Sequence, residues 1–284
     1  MSKDRNGLPL PEMWANWRTC YIVSNKPMER IALISDIHGN IPALDAVLDD
    51  IRSRGISRTF CLGDLVGKGP ESAAAVDVCK AVCEKLIIGN WDAMLADEDG
   101  PLPPGPPDIL EILGWHRRQV GADRLNYLRR LPGTIDFVMS GKNIRLFHAS
   151  QRGIRYRVYH KDPLEKHLAM FENTDFTGFE TRPDVVGYAD IHFAFRATYG
   201  EKTLFNIGSV GNPLDKPLAC YAVIEGDYGS ENSAPFSVEI VRLPYDIEKE
   251  LKRARDSGMP EMDLWETELR TARYRGLPPL KAAG

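Results

Sequence analysis

The chain has 284 residues, of which 43% are hydrophobic and 27% charged, a composition typical of a globular protein with one large domain or two small ones. The net charge of −4 gives no general attraction to nucleic acid or to an anionic membrane, and no apolar run is long enough to span a bilayer. The five cysteines are scattered without a Cys-x-x-Cys pair, which argues against a zinc ribbon or a disulfide scaffold and favours a reduced, cytoplasmic protein.

Residues 1–29 form a mixed arm rather than a signal peptide, because they lack a continuous apolar core. Trp14 and Trp17 lie in this arm, and Trp265 lies near the other end of the chain. Large apolar side chains are costly to expose, so we expect all three to pack against the body of the protein or against a second subunit. The second alternative would make the protein a homo-oligomer.

The aliphatic run Ile31–Ile34 predicts a buried strand, and Asp36 and His38 follow it directly. A turn at Gly39-Asn40 then leads into a predicted helix. A carboxylate and an imidazole two residues apart can turn toward one point, which is a typical beginning of a transition-metal site. The carboxyl ends of strands are also where open α/β sheets place their chemistry, although this pair alone also fits a plain surface turn.

The same arrangement recurs twice along the chain. Arg58–Leu62 predicts a strand that leads to Asp64, in a glycine-rich turn that lets the backbone come close to a ligand. A helix is predicted over Glu71–Glu84, and the strand Lys85–Ile88 then leads to Asn90. Strands that alternate with helices predict an α/β sheet.

The second half of the chain adds two more strand ends with polar side chains. His148 follows one predicted strand, and Asp190 and His192 follow another. Residues 100–107 predict a rigid loop because of their prolines and glycines. The remaining predicted elements are helices over 108–120, 123–131 and 163–172 and from Asp246 onward with a break at 257–260, a hairpin of strands 134–139 and 143–147, and strands over 183–188, 202–206, 219–225 and 236–243.

The side chains at five predicted strand ends are oxygen or imidazole ligands, with no thiolate among them. Such a mixture suits Mn²⁺, Fe²⁺ or Zn²⁺, and also Ni²⁺ or Mg²⁺, better than it suits a structural zinc site. Two metals that share one carboxylate are an economical arrangement for so many ligands, and such a pair activates a bridging water for attack on phosphorus. The candidate ligands are Asp36, His38, Asp64, Asn90, His148, Asp190 and His192.

These residues also carry a resemblance to a known family. The order of the motifs resembles that of the calcineurin-like metallophosphoesterases over roughly residues 31–260, and the Asn-Ile-Gly-Ser-Val-Gly run at 206–211 and the Pro-Tyr-Asp at 244–246 resemble the small prokaryotic phosphodiesterase branch. The resemblance implies that one metal is held by Asp36, His38, Asp64 and His192, that Asp64 bridges, and that Asn90, His148 and position 190 complete the second site. The motifs are Asp36-x-His38, Gly63-Asp64-x-x-x-x-Gly69-Pro70, Gly89-Asn90-x-Asp92 and the late strand end with His192.

Two positions depart from the pattern of that family. Where the family usually has the first histidine of Tyr-Gly-His-Thr-His, this chain has Asp190, a harder ligand that we expect to favour Mn²⁺ or Fe²⁺. The alternative is that Asp190 points away and the second site is weak. Where the family usually has a histidine that assists the leaving oxygen, this chain has Trp91, whose indole cannot give up a proton near neutral pH.

The loss of that histidine leaves three accounts open. The substrate has a good leaving group, another acid replaces the histidine, or the protein binds its ligand without efficient catalysis. Asp92 of the Gly-Asn-x-Asp motif and His116 are the candidate catalytic residues, with His160 and His167 as further candidate acids. The substrate-binding candidates are Asn40, Trp91, Arg152 and Arg155, the last two in a basic, aromatic segment over 152–161 that is also consistent with a solvated face.

We therefore predict an α/β fold, a four-layer αββα sandwich with two central mixed β-sheets, as the resemblance implies. An arm over 1–29 precedes a metallophosphoesterase domain over 30–245, which has a cap-like segment over 100–180, and a helical tail over 246–284 follows. The predicted function is the metal-dependent hydrolysis of a phosphodiester, phosphomonoester or nucleotide anhydride by a hydroxide activated by two divalent metal ions. The rival hypothesis is a catalytically weak, metal-binding nucleotide sensor or interaction protein.

Overall fold

The computed structural model describes residues 28–97 and 108–275 of the chain. The N-terminal arm with Trp14 and Trp17, and the proline-rich loop over 100–107, fall outside the described residues. The strands are β1 (Glu29–Ile34), β2 (Arg58–Cys61), β3 (Lys85–Leu86), β4 (Thr134–Met139), β5 (Lys142–Phe147), β6 (Val185–Tyr188), β7 (Phe195–Tyr199), β8 (Lys202–Asn206), β9 (Ala219–Gly226) and β10 (Ser237–Leu243). The helices are α1 (Ile41–Ser53), α2 (Ser72–Val82), α3 (Asn90–Ala96), α4 (Ile109–Val120), α5 (Ala122–Leu128), α6 (Leu164–Ala169), α7 (Ile247–Ser257) and α8 (Met262–Thr271).

The strands form two mixed sheets. The first has the order β10-β9-β1-β2-β3, in which β1, β2 and β3 are parallel, β9 pairs antiparallel with β1, and β10 pairs antiparallel with β9. The second has the order β4-β5-β6-β8-β7, in which β5, β6 and β8 are parallel while β4 and β7 are antiparallel edge strands. The parallel strands at the centre of each sheet bring their carboxyl ends to one edge, which is where the candidate ligands follow.

Alternate side chains of β1 explain how the sheets pack. Ile31 and Leu33 join a buried cluster between the two sheets, together with residues of the second sheet such as Leu146. Ala32 and Ile34 belong instead to the cluster under the helices that cover the first sheet. Successive side chains of a strand point to opposite faces, so a strand that is apolar throughout is buried on both sides.

The two outer layers are built from different elements. Helices α1 to α5 contribute buried residues to the cluster on the first sheet, whereas α6 and neighbouring loops, with Val158, Met170 and Phe171, cover the second. The fold is therefore the predicted α/β sandwich with two central mixed sheets. The segment over 100–180, expected to be cap-like, contributes β4 and β5 to the second sheet.

Two elements were not predicted from the sequence. Strand β7 pairs with β8 through a turn at Gly200, whose φ of +62° favours glycine. Helix α3 begins at Asn90, where the sequence predicted only the end of a strand, and the carboxylate of Asp92 accepts the Gly89 N–H at 3.0 Å at the start of this helix. Neither element is apparent from periodicity, because both are short and one is stabilised by a side chain at its first turn.

The helical tail packs against the body of the protein. Helix α7 contacts α1 and α8, and Trp265 of α8 is fully buried, as predicted for this tryptophan. The indole Nε1–H of Trp265 donates to the carboxylate of Glu250 on α7 at 3.2 Å. Among the described residues, none of the helices combines the length and the apolar character that crossing a membrane requires.

Candidate metal centre

The seven predicted ligands meet at one edge of the two sheets. Asp36 and His38 follow β1, while the residues after β2 and β3 are Asp64 and Asn90. The second sheet places the remaining three across from them, after β5 and β6. Asp36, His38 and His148 are fully buried, and Asp64, Asp190 and His192 are at most 6% exposed. The parallel strands thus bring residues as far apart in the sequence as Asp36 and His192, 156 positions, into direct contact.

Three of these side chains form the first group. The Nε2 atom of His192 lies 3.3 Å from Asp36 Oδ1 and 3.3 Å from His38 Nε2. The Nε2 atom of His38 lies 3.9 Å from the same oxygen of Asp36. Three donor atoms within 4.8 Å of one another can surround one metal ion.

The second group faces the first across Asp64. The Nε2 atom of His148 lies 3.5 Å from Asp64 Oδ2 and 3.8 Å from Asp190 Oδ1, and the terminal amide of Asn90 lies 2.9 Å from the same nitrogen. Asp64 Oδ2 is also 3.6 Å from the Nε2 of His38, in the first group. The Asp64 carboxylate therefore lies between the two groups, where a bridging ligand would lie.

Backbone carbonyls fix the orientation of all three histidines. The Nδ1 atoms of His38, His148 and His192 lie 3.0, 2.7 and 2.5 Å from the carbonyl oxygens of Val66, Leu62 and Asn212. A proton on Nδ1 that donates to a carbonyl leaves Nε2 directed at the centre as the ligand atom.

The backbone at the centre is strained. Asp36, His38, Asp64, Asp190 and His192 have φ values of +52°, +48°, +54°, +62° and +54°, in the left-handed region that residues other than glycine seldom adopt. Each such residue costs on the order of 1–3 kcal/mol, so the surrounding fold must hold it in place. Hydrogen bonds between neighbouring strand ends do so, for example from Asp36 N–H to the Gly63 carbonyl at 2.9 Å and from His38 N–H to the Asp64 carbonyl at 3.1 Å.

The electrostatics of the centre fit a bound cation. Both carboxylate oxygens of Asp36 are buried without a hydrogen-bond partner within the part of the chain that the structure describes. A buried carboxylate without a partner is strongly unfavourable, and a cation beside the oxygens would relieve this cost. Burial disfavours ionisation of Asp64, but the neighbouring His148 and His38 outweigh it and hold the pKa of Asp64 well below its ordinary value.

His148 shows the complementary effect. Burial lowers its pKa, but the carboxylates of Asp64, Asp36 and Asp190 outweigh burial and raise the pKa to about 10. In the absence of a cation the centre therefore holds a proton on His148, and a metal must displace it. The chemistry of the donor set, carboxylate, imidazole and amide, fits a divalent transition metal.

Asp92 lies below the centre rather than in it. Its carboxylate is fully buried and accepts the backbone N–H groups of Asp64 at 2.8 Å, Leu65 at 2.9 Å and Gly89 at 3.0 Å. Burial and the nearby Asp64 carboxylate raise the pKa of Asp92 to about 7. These contacts let Asp92 position the loop that carries Asp64.

A cavity of about 420 Å³ opens onto the centre. The predicted residues that line it are Asp64, Asn90, Trp91, His160, Asp190 and His192. Other lining residues were not among the predicted site residues: Lys68, Arg157, Tyr159, Ile191, Phe193, Leu214, Ala272, Arg273 and Tyr274. Lys68 lies in the glycine-rich turn and Arg157 in the basic segment, so the sequence carried a signal for both, but it carried none for the tail residues, which reach the cavity only through the fold.

Three predicted substrate-binding residues do not line this cavity. The Asn40 side chain caps α1 by accepting the Ala43 N–H at 3.1 Å, and it donates to the Gly211 carbonyl at 2.8 Å, so its contacts are structural. Arg152 and Arg155 lie in the basic segment outside the cavity lining, and the Arg152 guanidinium lies 4.7 Å from the ring centre of Tyr156. Of the three arginines in that segment, Arg157 lines the cavity.

Of the three histidines proposed as alternative acids, the fold places only one in the cavity lining that the structure describes. His116 is 1% exposed, contacts Trp91 and Trp115, and does not line the cavity, and burial lowers its pKa to about 4. This position does not support the predicted catalytic role of His116, because the ring is neutral and reaches the centre only through Trp91. His167 likewise lies outside the lining, whereas His160 lines the cavity and stacks on Phe193 with ring centres 3.8 Å apart.

The comparison with family models identifies this architecture. Residues 29–229 match the model of the calcineurin-like phosphoesterase superfamily domain. The chain belongs to the calcineurin-like phosphoesterase superfamily. The family predicted from the motifs is thereby confirmed, and the matched range contains all seven candidate ligands.

Individual relatives extend this result. An uncharacterised protein of Methanocaldococcus jannaschii is 30% identical over 235 residues, which cover 81% of this chain and 94% of the relative. A symmetrical bis(5'-nucleosyl)-tetraphosphatase of Paracidovorax citrulli is 31% identical over 121 residues, 41% of this chain and 42% of the relative. The fold is shared with a metallophosphoesterase from Sphaerobacter thermophilus, at a TM-score of 0.68 and 24% identity, over 86% of this chain and 99% of that chain. It is also shared with a protein of Pyrococcus horikoshii, at a TM-score of 0.65 and 19% identity, over 88% and 99% of the two chains.

Proposed function

We propose that this member of the superfamily hydrolyses a phosphoester with the help of two divalent metal ions. The observation that carries the proposal is the position of Asp64, whose Oδ2 lies within 3.6 Å of a histidine nitrogen from each of the two ligand groups. A carboxylate so placed fits the bridging ligand of a dinuclear centre. Divalent ions held there would supply Lewis acidity and a nucleophilic water at neutral pH.

The residues of the chain have separate tasks in this reaction. Asp36, His38 and His192 would hold one ion, and Asn90, His148 and Asp190 the other, with Asp64 between them. Two of the cationic side chains that line the cavity, Lys68 and Arg157, would bind the phosphoryl oxygens and favour the charge that develops on them. Mn²⁺ or Fe²⁺ is favoured because a third carboxylate, Asp190, replaces an imidazole.

A nucleotide substrate is supported by the walls of the cavity. Trp91, Tyr159, Phe193 and Tyr274 are aromatic residues of the lining, and aromatic faces stack on nucleobases. Good leaving groups such as nucleotides or polyphosphates also need little proton donation, which suits a site with Trp91 beside the metals. The tetraphosphatase relative is consistent with this substrate class, although only 42% of its length is matched.

A metal-by-substrate activity screen tests the proposal. Purified protein, stripped of metal and reloaded with Mn²⁺, Fe²⁺, Zn²⁺, Ni²⁺ or Mg²⁺, would be assayed with bis(p-nitrophenyl) phosphate, p-nitrophenyl phosphate and dinucleoside polyphosphates. We expect turnover that requires metal and is greatest with Mn²⁺ or Fe²⁺. Absence of turnover with every metal in a protein shown to bind two metal ions would contradict the proposal.

A second candidate function is a metal-binding nucleotide sensor, and Trp91 favours it. The indole lines the cavity at a position next to Asn90, where it can stack on a base but cannot donate a proton to a leaving group. A sensor would bind nucleotides in the metal-loaded state without hydrolysing activated esters. Nucleotide titration beside the activity screen separates the two functions.

A further inference from the structure

The guanidinium of Arg157 is a cation at the centre that no motif of the sequence singled out. Its Nε–H group donates to both carboxylate oxygens of Asp190, at 3.3 and 3.2 Å. Within residues 28–97 and 108–275, the two terminal nitrogens make no hydrogen bond to protein, so four of the five N–H groups of the guanidinium are unused. The Arg157 side chain is 48% exposed, whereas that of Asp190 is 1% exposed, and Arg157 lines the cavity.

The backbone around Arg157 is fixed in place. Val158 is buried in the cluster on the outer face of the second sheet, and the Tyr188 hydroxyl donates to its carbonyl at 2.7 Å. The Tyr159 N–H donates to Asp162 at 2.8 Å, and the Nε2 of His167 lies 2.8 Å from the Tyr159 carbonyl. A side chain on so firmly anchored a segment is preorganised for a partner in the cavity.

The charge that Arg157 balances belongs to the second metal group. Asp190 Oδ1 lies 3.8 Å from His148 Nε2, and the Asn90 amide is 3.0 Å from the same oxygen. A buried carboxylate needs an opposite charge, and Arg157 supplies part of it as long as no metal ion is bound. A divalent ion bound to Asp190 would neutralise the carboxylate and repel the Arg157 guanidinium. The guanidinium would then be free to pair with another anion.

We propose that Arg157 has two partners in turn, Asp190 in the metal-free protein and the phosphoryl oxygens of the substrate once the second metal is bound. A guanidinium pairs with phosphate through two parallel hydrogen bonds, which the free terminal nitrogens permit. Arg157 thus competes with the second metal for Asp190 and strengthens the binding of phosphate beside the metals. The phosphate half of this inference rests on the proposed function, while the metal half does not.

Two titrations that need no turnover test the proposal on the full chain. Mn²⁺ is titrated by calorimetry into wild type, Arg157→Gln and Arg157→Lys, and inorganic phosphate is then titrated into the Mn²⁺-loaded proteins. We expect Arg157→Gln to bind the weaker Mn²⁺ ion about fivefold more tightly, the effect of losing one half-exposed ion pair. We expect the same variant to bind phosphate about tenfold more weakly, with Arg157→Lys between it and wild type.

Arg196→Gln is the matched control, because it removes the same charge from an exposed position on β7 outside the cavity lining, and it should leave both titrations unchanged. Unchanged Mn²⁺ affinity in Arg157→Gln, or a weaker one, would overturn the competition for Asp190. Unchanged phosphate affinity would overturn the substrate contact. If the titrations give the expected shifts in a protein that hydrolyses nothing, Arg157 keeps its assigned role and the proposed function alone fails.

Discussion

At the scale of single residues, the centre is built from side chains whose local geometry is unfavourable. Asp36 and Asp64 combine buried carboxylates with left-handed backbone, and both conditions would be selected against in a plain structural site. The fold holds them with backbone hydrogen bonds and with Asp92, which accepts four N–H groups of the loops around it. Strain of this kind, concentrated beside a cavity, supports a functional role for the centre.

Substitution of Asp64 by Asn tests the bridging role. In the wild type, Asp64 Oδ1 accepts the Trp91 N–H at 2.7 Å. An asparagine amide oxygen can keep this hydrogen bond, but the amide lacks the negative charge that two cations would share. We expect Asp64→Asn to lose both tightly bound metals and any hydrolysis, measured by metal analysis of the purified protein and by the activity screen. Asp45→Asn, on the exposed side of α1, should behave as wild type. A variant at position 64 that keeps two tightly bound metals per chain would show that the site is not dinuclear in this way.

The enzyme and sensor hypotheses assign different roles to Trp91, and leaving-group kinetics test the enzyme hypothesis. Without a proton donor at this position, the rate should depend strongly on the pKa of the leaving group, with clear turnover of activated esters and very slow turnover of alkyl esters. Trp91→His should then accelerate poor leaving groups more than good ones, by up to about 10²-fold. Steady-state kinetics across a series of leaving groups measure this.

Trp91→Phe is the matched control, since it also shortens the side chain but adds no proton donor. The indole packs directly against Gly67, so either substitution can leave a cavity that costs about 3 kcal/mol or more, and folding must be checked beside the kinetics. If wild type hydrolyses poor and activated esters equally fast with chemistry rate-limiting, another group supplies the proton. His160, which lines the cavity, is then the first residue to replace.

At the scale of elements, the tail helices are tied to the centre by buried polar groups. Lys68 donates to Asn212 at 2.6 Å, and Asn212 donates to Glu268 of α8 at 3.1 Å. Arg275 donates to the same carboxylate through its backbone and its guanidinium, each at 3.0 Å. This chain of contacts explains why residues 272–274 reach the cavity, and it makes the tail part of the cavity wall.

Glu250 on α7 makes the stability of the tail depend on pH. Burial, and to a smaller extent Glu71, raise its pKa from 4.5 to about 8, while Trp265 and Arg253 act in the opposite direction. Because the folded protein holds a proton that the unfolded chain releases, the free energy of unfolding falls as pH rises from about 4.5 to 8.

Glu250→Gln should therefore be more stable than wild type above pH 8, by about 1–4 kcal/mol, and nearly equal to it at pH 5. Glutamine keeps an oxygen for the Trp265 indole while removing the titration. Urea unfolding at both pH values measures the difference, with Glu248→Gln on the exposed face of the same helix as a control that should show no such gain. Equal stability of wild type and Glu250→Gln at pH 8.5 would mean that Glu250 does not titrate in this range.

At the scale of the whole molecule, metal binding should stabilise the fold, because the ligands come from strands of both sheets. Any ion that binds the folded chain and not the unfolded one adds about 2.7 kcal/mol at a concentration 100 times its Kd. We expect Mn²⁺ to raise the Tm of the metal-free protein by about 5–10 °C, measured by calorimetry. The shift should be lost in Asp64→Asn and kept in Asp45→Asn. No shift with any of the five candidate metals would argue against a metal centre that joins the sheets.

The sequence alone predicted an α/β arrangement of strands and the candidate ligands after them because both depend on local signals, whereas the four-layer sandwich was predicted from the resemblance to the family. Apolar runs such as Ile31–Ile34 mark strands that are buried on both faces, and the polar groups just after them mark the edge where parallel strands end. The motif order then identified the family. The short helix α3 and the strand β7 were missed, since neither has enough residues to show a period.

What only the tertiary structure decided is which distant residues share the cavity. Residues 152–161 carry several basic side chains, and the chain sequence gives no reason to prefer one of them, but the anchoring of Val158 places Arg157 beside Asp190. His116 looked available as a proton donor, and packing against two tryptophans buried it instead. Tyr274 reaches the cavity only because α7 and α8 fold back on the body. Local sequence determines strands, turns and ligand types, whereas contacts between side chains far apart in the chain depend on how the layers pack.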